Sequence, residues 1–85
     1  MIKREYRLKI SRHGDKYYFY HNCYHRVWGP AMDLMDGCKF YLHLGKSHRL
    51  DGPSDIWFGK RKVYCVDGAN IAEEDFYENY YQKND

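Results

Sequence analysis

The sequence lacks any long apolar run. No segment approaches the roughly 18 consecutive apolar residues of a transmembrane helix. The first ten residues are basic, but they contain no apolar stretch of signal-peptide length. We therefore expect a cytoplasmic protein with no membrane partner.

Cysteine is scarce, and the number of cysteines is odd. Cys23, Cys38 and Cys65 leave one thiol unpaired in any disulfide arrangement, and no two of them have C-x-x-C spacing. We therefore expect reduced thiols, as in proteins of the cytosol.

A complete set of metal ligands is also missing. HNCYH (residues 21–25) would place His21, Cys23 and His25 on one face of a straight strand, with a fourth ligand from elsewhere. Asn22 aligns with turn glycines of a repeat, however, and the strand is expected to end there. We predict no metal and no cofactor.

Known catalytic motifs are absent as well. The chain has no G-x-S-x-G, no glycine-rich phosphate loop, no H-E-x-x-H and no serine with an obvious base and orienting acid. We predict that the protein is not an enzyme.

The composition is that of one small folded domain, residues 1–85. Hydrophobic residues make up 44% of the chain, but ten of them are tyrosines, which favours a thin core. Residues 1–26 carry seven basic side chains against two acidic ones, whereas residues 69–85 carry five acids against Lys83. The two ends therefore differ in the sign of their charge.

A repeat of 23 residues organises the chain. His-Arg and Gly-Pro recur in YHRVWGPA (24–31) and SHRLDGPS (47–54), 23 residues apart. We predict repeats at about 5–25, 26–48 and 49–70. The other columns in register are Lys16, Lys39 and Lys62; Tyr17, Phe40 and Val63; Tyr18, Tyr41 and Tyr64; and Asn22, Gly45 and Gly68.

Each unit is predicted to be a β-hairpin joined to the next by a proline corner. Asp36-Gly37 between two alternating runs is a hairpin signal, and Gly-Pro suits a corner better than a strand interior. Each His-Arg pair is expected to brace its corner, the arginine bonding turn carbonyls or Asp51 and the histidine donating one N–H while packing on a tyrosine. Alternatively, the two pairs form an anion-binding row. The predicted structural turn residues are His25, Arg26, Gly29, Pro30, His48, Arg49, Asp51, Gly52 and Pro53.

Alternation assigns the second strand of each unit to two faces. The predicted core face contains Tyr17, Phe19, Phe40, Leu42, Val63 and Cys65. The opposite face is a Lys-Tyr ladder formed by Lys16, Tyr18, Tyr20, Lys39, Tyr41, His43, Lys62, Tyr64 and Val66. We expect the ladder to be either an ordinary sheet surface or a binding face for a protein or a nucleic acid.

The C-terminal segment has a helical pattern over about 72–82. Phe76 and Tyr80 recur at helical spacing, and acids occupy the first turn. Asn70 followed by Glu73 fits a capping box, or the helix begins one or two residues later. We expect this helix to cap the last hairpin.

These residues resemble a family of small β-hairpin repeats with a His-Arg-x-Asp-Gly-Pro-Ala unit, similar to MORN repeats and frequent in large bacteriophages. The resemblance covers about residues 14–77, although Trp28 stands where the second unit has Asp51, and Ser54 replaces the alanine matched by Ala31. It implies a mainly β, twisted antiparallel sheet of three hairpins with binding or scaffolding roles. It supplies no catalytic residues.

The functional expectation is a non-catalytic protein-binding module, in the phage context an inhibitor of a host defence protein acting in the host cytoplasm. The acidic helix could enter a basic groove that normally holds nucleic acid, or the Lys-Tyr ladder could anchor a protein interface. The alternative is RNA or single-stranded DNA binding by the ladder together with Lys3, Arg4, Arg7 and Lys9; association of sheet edges is a third possibility. The candidate partner-binding residues are Tyr18, Tyr20, Trp28, Lys39, Tyr41, His43, Lys62, Tyr64, Glu73, Glu74, Asp75 and Glu78.

Overall fold

A computed structural model describes residues 6–83. Lys3, Arg4 and the predicted start of the first repeat at residue 5 lie outside the described residues. The strands are β1 (Tyr6–Ile10), β2 (Lys16–Tyr20), β3 (Cys23–Tyr24), β4 (Met32–Asp33), β5 (Lys39–Phe40), β6 (Leu42–His43), β7 (Lys46–Ser47), β8 (Asp55–Trp57), β9 (Arg61–Val66) and β10 (Ala69–Ile71); the helix is α1 (Glu73–Asn79).

The strands form one main antiparallel sheet. Its order is β1-β2-β4-β5-β8-β9-β10, with β3 paired to β2, while β6 and β7 form a separate two-stranded hairpin. The predicted fold class, a mainly β antiparallel sheet with one short C-terminal helix, is confirmed. Within residues 6–83, no helix has the length and apolar character needed to cross a bilayer.

Backbone hydrogen bonds recur at the 23-residue spacing. The Tyr18 N–H donates to the Ala31 carbonyl at 2.7 Å, and the Tyr41 N–H donates to the Ser54 carbonyl at 2.7 Å. The carbonyl of Tyr18 accepts from the His25 N–H at 2.9 Å, just as the carbonyl of Tyr41 accepts from the next His-Arg pair. Equivalent residues of the first two units therefore have equivalent backbone partners. The number of repeats, three, stays a prediction.

The predicted division of the sheet into a core face and an exposed face is only partly right, since Cys65 on the predicted core face is indeed buried. Tyr64 belongs to the Lys-Tyr ladder but is only 4% exposed, whereas Tyr17 and Phe40 on the predicted core face are only partly buried. The reason is that arginines and α1 fold back over the tyrosines. The most buried side chains include Ala31, His25, Ser54, Cys38, Cys65, Tyr64 and Phe76.

The C-terminal helix ends at Asn79, before the predicted end at about residue 82. It begins at Glu73, after the non-helical residue Ala72, and no side chain caps its first turn. Asn70 lies in β10, so the capping-box alternative is wrong. Phe76 has no exposed surface, and its ring centroid lies 4.9 Å from that of Tyr64. The helix therefore covers the tyrosine of the last hairpin.

Candidate interaction site

The two Gly-Pro corners are held by equivalent arginines. The Arg26 guanidinium carbon lies 3.9 Å from the centroid of the Tyr18 ring, and that of Arg49 lies 3.8 Å from the Tyr41 centroid. Each arginine also donates from Nη1 to a proline carbonyl, Arg26 to that of Pro30 at 3.3 Å and Arg49 to that of Pro53 at 3.1 Å. A cation over an aromatic face stabilises both groups, so Tyr18 and Tyr41 are partly covered by their own corners.

The corner glycines leave space for these guanidinium groups. A Cβ atom placed on Gly29 would lie 3.0 Å from Cζ and Nη1 of Arg26, and one on Gly52 would lie 3.1 Å from Cζ of Arg49. Real Cβ atoms rarely approach other atoms this closely. The glycine of each Gly-Pro pair therefore leaves room for the arginine three residues before it, and a larger residue there would have to displace the guanidinium group.

The histidines of the two His-Arg pairs join one unit to the next. His25 Nδ1 accepts the Leu44 N–H at 3.0 Å, and His48 Nδ1 accepts the Asp67 N–H at 2.9 Å. Among residues 6–83 the hydrogen bonds of these two rings are accepted at Nδ1, and the predicted donation of one N–H by each histidine stays a prediction. Because Nδ1 accepts a hydrogen bond, the neutral ring must carry its proton on Nε2.

The imidazoles of His25, His43 and His48 form a short row. Ring centroids lie 4.7 Å apart between His25 and His43, and 6.1 Å apart between His43 and His48. Burial lowers the pKa of His25 from its ordinary value of 6.5, and repulsion from a protonated His43 lowers this pKa further. His25 is consequently kept neutral, in the form that accepts from Leu44.

We expect acid to weaken the fold through His25. A lowered pKa in the folded state gives a contribution to stability that is complete above the ordinary value of 6.5 and is lost as the pH falls below it. Protonation also removes the acceptor for Leu44, a loss of about 1 kcal/mol. Urea denaturation between pH 7.5 and 5 should show this decline, and His25→Asn, which keeps an acceptor oxygen, should flatten it.

His13→Asn is the matched control for this experiment. His13 is exposed, and its substitution should leave the pH dependence of unfolding unchanged. An undiminished acid decline in His25→Asn would assign the effect to other groups.

The two corners differ at the residue before Gly-Pro. In the second corner, Arg49 Nε donates to Asp51 Oδ1 at 2.8 Å and forms an ion pair. In the first corner the corresponding residue is Trp28, which is 74% exposed. Within residues 6–83 no carboxylate forms a salt bridge with Arg26. The first corner thus combines an exposed indole with an arginine that has no carboxylate partner among residues 6–83.

Two open grooves meet at Arg26, Val27 and Trp28. The first, of about 520 Å³, runs between the two corners and includes His43, His48, Arg49, Asp51 and Lys83 in its lining. The second, of about 590 Å³, lies between the first corner and β1, and its other lining residues are Tyr6, Arg7, Leu8, Tyr18, Phe19 and His25. We call the surface formed by Tyr6, Leu8, Arg26, Val27 and Trp28 the first-corner surface.

Sequence reasoning included Trp28 but missed Tyr6, Leu8 and Val27. These three side chains are 58%, 50% and 60% exposed. In the 23-residue register, Leu8 aligns with Ala31 and Ser54, which are fully buried in later units. The register could therefore have indicated that Leu8 occupies the position of a core residue, here on β1 at the edge of the described sheet.

The remaining ladder residues do not form one continuous surface. Lys39 pairs with Asp33 at 2.7 Å, and Tyr20 packs on Tyr6 with ring centroids 4.5 Å apart. His43 and Lys62 are exposed, while Tyr64 is covered by α1. The structure therefore does not bring the predicted Lys-Tyr ladder together as a binding face.

The acids of α1 are all exposed. Glu73 accepts a hydrogen bond from the Tyr64 hydroxyl at 3.3 Å, and Asp75 accepts one from the Asn79 amide at 2.6 Å. Glu74 and Glu78 complete the acidic helix surface. Burial, together with the contacts to Tyr77 and Glu73, raises the pKa of Tyr64, so its hydroxyl remains protonated.

The residues of HNCYH lie around a turn. His21 and Asn22 have φ angles of 50° and 64°, so the strand ends at Tyr20 and β3 begins at Cys23. Across the part of the chain that the structure describes, no three His, Cys, Asp or Glu residues are grouped to hold a metal ion. Cys23, Cys38 and Cys65 are free thiols, and burial raises the pKa of Cys38.

Comparisons of this chain with family models, with curated proteins and with solved structures find no match.

Proposed function

We propose that this protein is a non-catalytic protein-binding module and that the first-corner surface is its binding site. The observation that carries the proposal is the exposure of Trp28. Its side chain is 74% exposed and lines both grooves. Interface energy is concentrated in a few residues, most often tryptophan, tyrosine and arginine. Trp28, Tyr6 and Arg26 bring these three types together.

The surroundings of Trp28 support a protein partner over a nucleic acid. Tyr6, Leu8 and Val27 add exposed apolar surface beside the indole, as expected for the centre of a protein interface. The tyrosines proposed to stack on bases are covered instead, Tyr18 and Tyr41 by arginines and Tyr64 by α1. Base stacking on the Lys-Tyr ladder therefore becomes the weaker proposal, although Arg26, Arg49 and Lys83 around the first groove keep it testable.

The resemblance to hairpin repeats of large bacteriophages extends this proposal to a biological role. The protein would be a phage-encoded inhibitor that occupies a functional surface of a host protein, such as a component of host defence, in the host cytoplasm. The role requires only stable binding, for which the first-corner surface is the proposed anchor. The acidic helix would contribute to partner selection by charge.

Trp28→Ala is expected to weaken partner binding at least about 30-fold, the effect of losing a hot spot of 2 kcal/mol or more. The measurement is affinity capture from the host lysate followed by mass spectrometry and titration of the captured protein. Trp57→Ala is the matched control, because Trp57 is also exposed, at 40%, but lies in β8 away from both grooves.

Equal capture of one stoichiometric protein by both variants would place the interface elsewhere and overturn the proposal for this surface. Capture of nucleic acid alone would favour the alternative function. That complex should weaken steeply with added salt, since phosphate contacts release counterions.

A further inference from the structure

We infer that Arg26 binds a carboxylate of the partner protein, in the position that Asp51 takes beside Arg49. This inference rests on the proposed function and specifies the partner. The surface that fits has an aspartate or glutamate next to an apolar side chain. The partner's carboxylate would accept a hydrogen bond from Arg26 Nε–H. The apolar side chain next to it would pack against Trp28 and into the groove beside β1.

The second corner shows what this scaffold does with a carboxylate. The guanidinium group of Arg49 lies over the Tyr41 ring, with Nη1 donating to the Pro53 carbonyl and Nε donating to Asp51 Oδ1 at 2.8 Å. The ring and the proline carbonyl fix the guanidinium, so the direction of the Nε–H is set before any carboxylate arrives. A charged hydrogen bond formed by such a fixed group loses little side-chain entropy.

The first corner has the same arginine geometry without the acid. Arg26 lies over Tyr18 at nearly the same distance, and its Nη1 donates to the Pro30 carbonyl. No hydrogen-bond acceptor for Arg26 Nε occurs within residues 6–83. Trp28, at the position that supplies the acid in the second corner, is directed into solvent instead. Arg26 is thus held in a carboxylate-binding geometry whose acceptor must come from outside this part of the chain.

The neighbouring surface indicates a protein carboxylate and not a nucleic-acid phosphate. Arg26 lines both grooves, and the one beside β1 contains the exposed apolar side chains of Tyr6, Leu8 and Val27. Such a surface suits an acidic residue that has a leucine or an aromatic neighbour. A phosphate backbone would place several charges over these apolar groups, and Arg7 is the one arginine or lysine besides Arg26 among the residues that line this groove.

The test is the Arg26 Nε–H resonance in NMR titrations with two matched probes, acetyl-Leu-Glu-Leu-amide and acetyl-Leu-Gln-Leu-amide, at constant ionic strength. We expect the glutamate peptide to shift this resonance along a saturating curve and to bind about tenfold tighter than the glutamine peptide, the effect of one charge-assisted hydrogen bond. Arg49 Nε–H should not respond, because Asp51 already occupies it.

Three variants separate the carboxylate contact from other effects. Trp28→Asp should move the Arg26 Nε–H resonance toward that of Arg49 without any peptide and should abolish the preference for the glutamate peptide. Trp28→Asn introduces a side chain of the same size as aspartate but without its charge, and it should keep the preference for the glutamate peptide. Asp51→Ala should make Arg49 respond to the glutamate peptide as Arg26 does.

Equal responses to both peptides, or equal effects of Trp28→Asp and Trp28→Asn, would overturn the inference. A stronger response to inorganic phosphate than to the glutamate peptide would instead assign Arg26 to a nucleic-acid backbone. If partner capture depends on Trp28 but the peptides are not distinguished, only the carboxylate inference fails. If the peptides are distinguished but no protein is captured through Trp28, the proposed function fails.

Discussion

Replacement of Phe76 by alanine is expected to lower the free energy of unfolding by about 3–5 kcal/mol. Phe76 is fully buried, and its ring contacts Tyr64 and Tyr77 with centroid distances of 4.9 and 5.1 Å. The total stability of a small domain is only about 5–15 kcal/mol, so this one change should remove a large part of it. Urea denaturation followed by circular dichroism measures the effect.

Glu78→Ala is the control in the same helix. Glu78 is exposed, and its substitution should change stability by no more than about 0.5 kcal/mol. A loss below about 1 kcal/mol in Phe76→Ala would mean that α1 does not close the hairpin array, because a docked helix cannot lose its buried aromatic side chain at so small a cost.

Gly29→Ala is expected to destabilise the fold by about 2–4 kcal/mol, from two causes. Gly29 has a φ of 121°, in the half of conformational space that L-residues avoid, and the new methyl group would lie 3.0 Å from the Arg26 guanidinium. Thermal and urea unfolding give the loss directly. Displacement of Arg26 from Tyr18 would also change the Arg26 Nε–H resonance.

Gly45→Ala separates the two causes. Gly45 also has a positive φ, 85°, but a Cβ atom there meets no other atom within 4 Å. Its substitution should therefore cost only the backbone strain of about 1–2 kcal/mol. The contact contribution at Gly29 should disappear when Arg26→Ala is combined with Gly29→Ala. Equal costs for the two glycines would show that Arg26 moves aside freely and is not held over Tyr18.

The pairing of arginine with tyrosine explains why the repeat retains both residues. Arg26 lies over Tyr18 and Arg49 lies over Tyr41. The glycine three residues after each arginine leaves space for its guanidinium group. The last tyrosine of the Lys-Tyr ladder, Tyr64, has no His-Arg segment after it and is covered by Phe76 instead. The C-terminal helix therefore takes the place of a third corner.

Local patterns were enough to predict the class and the main landmarks of this fold. Turn residues, alternation and the 23-residue register indicated hairpins, Gly-Pro corners and a C-terminal helix, because these depend on interactions between neighbouring residues. The register also identified Trp28 against Asp51 as the informative difference between corners. The end of the helix at Asn79 was missed, since helical spacing alone does not show where packing against β9 stops.

The candidate site was predicted only in part. The candidate binding residues include Trp28 but not Leu8, and the pattern assigns Tyr64 to an exposed face although it is buried. Burial of a side chain depends on which distant segment covers it, and alternation along one strand carries no such information. The mainly β antiparallel sheet with one short C-terminal helix could therefore be predicted from the sequence. The covering of Tyr18, Tyr41 and Tyr64, and the open position of Trp28, could not be predicted in this way, because they depend on chain segments that fold back over the sheet.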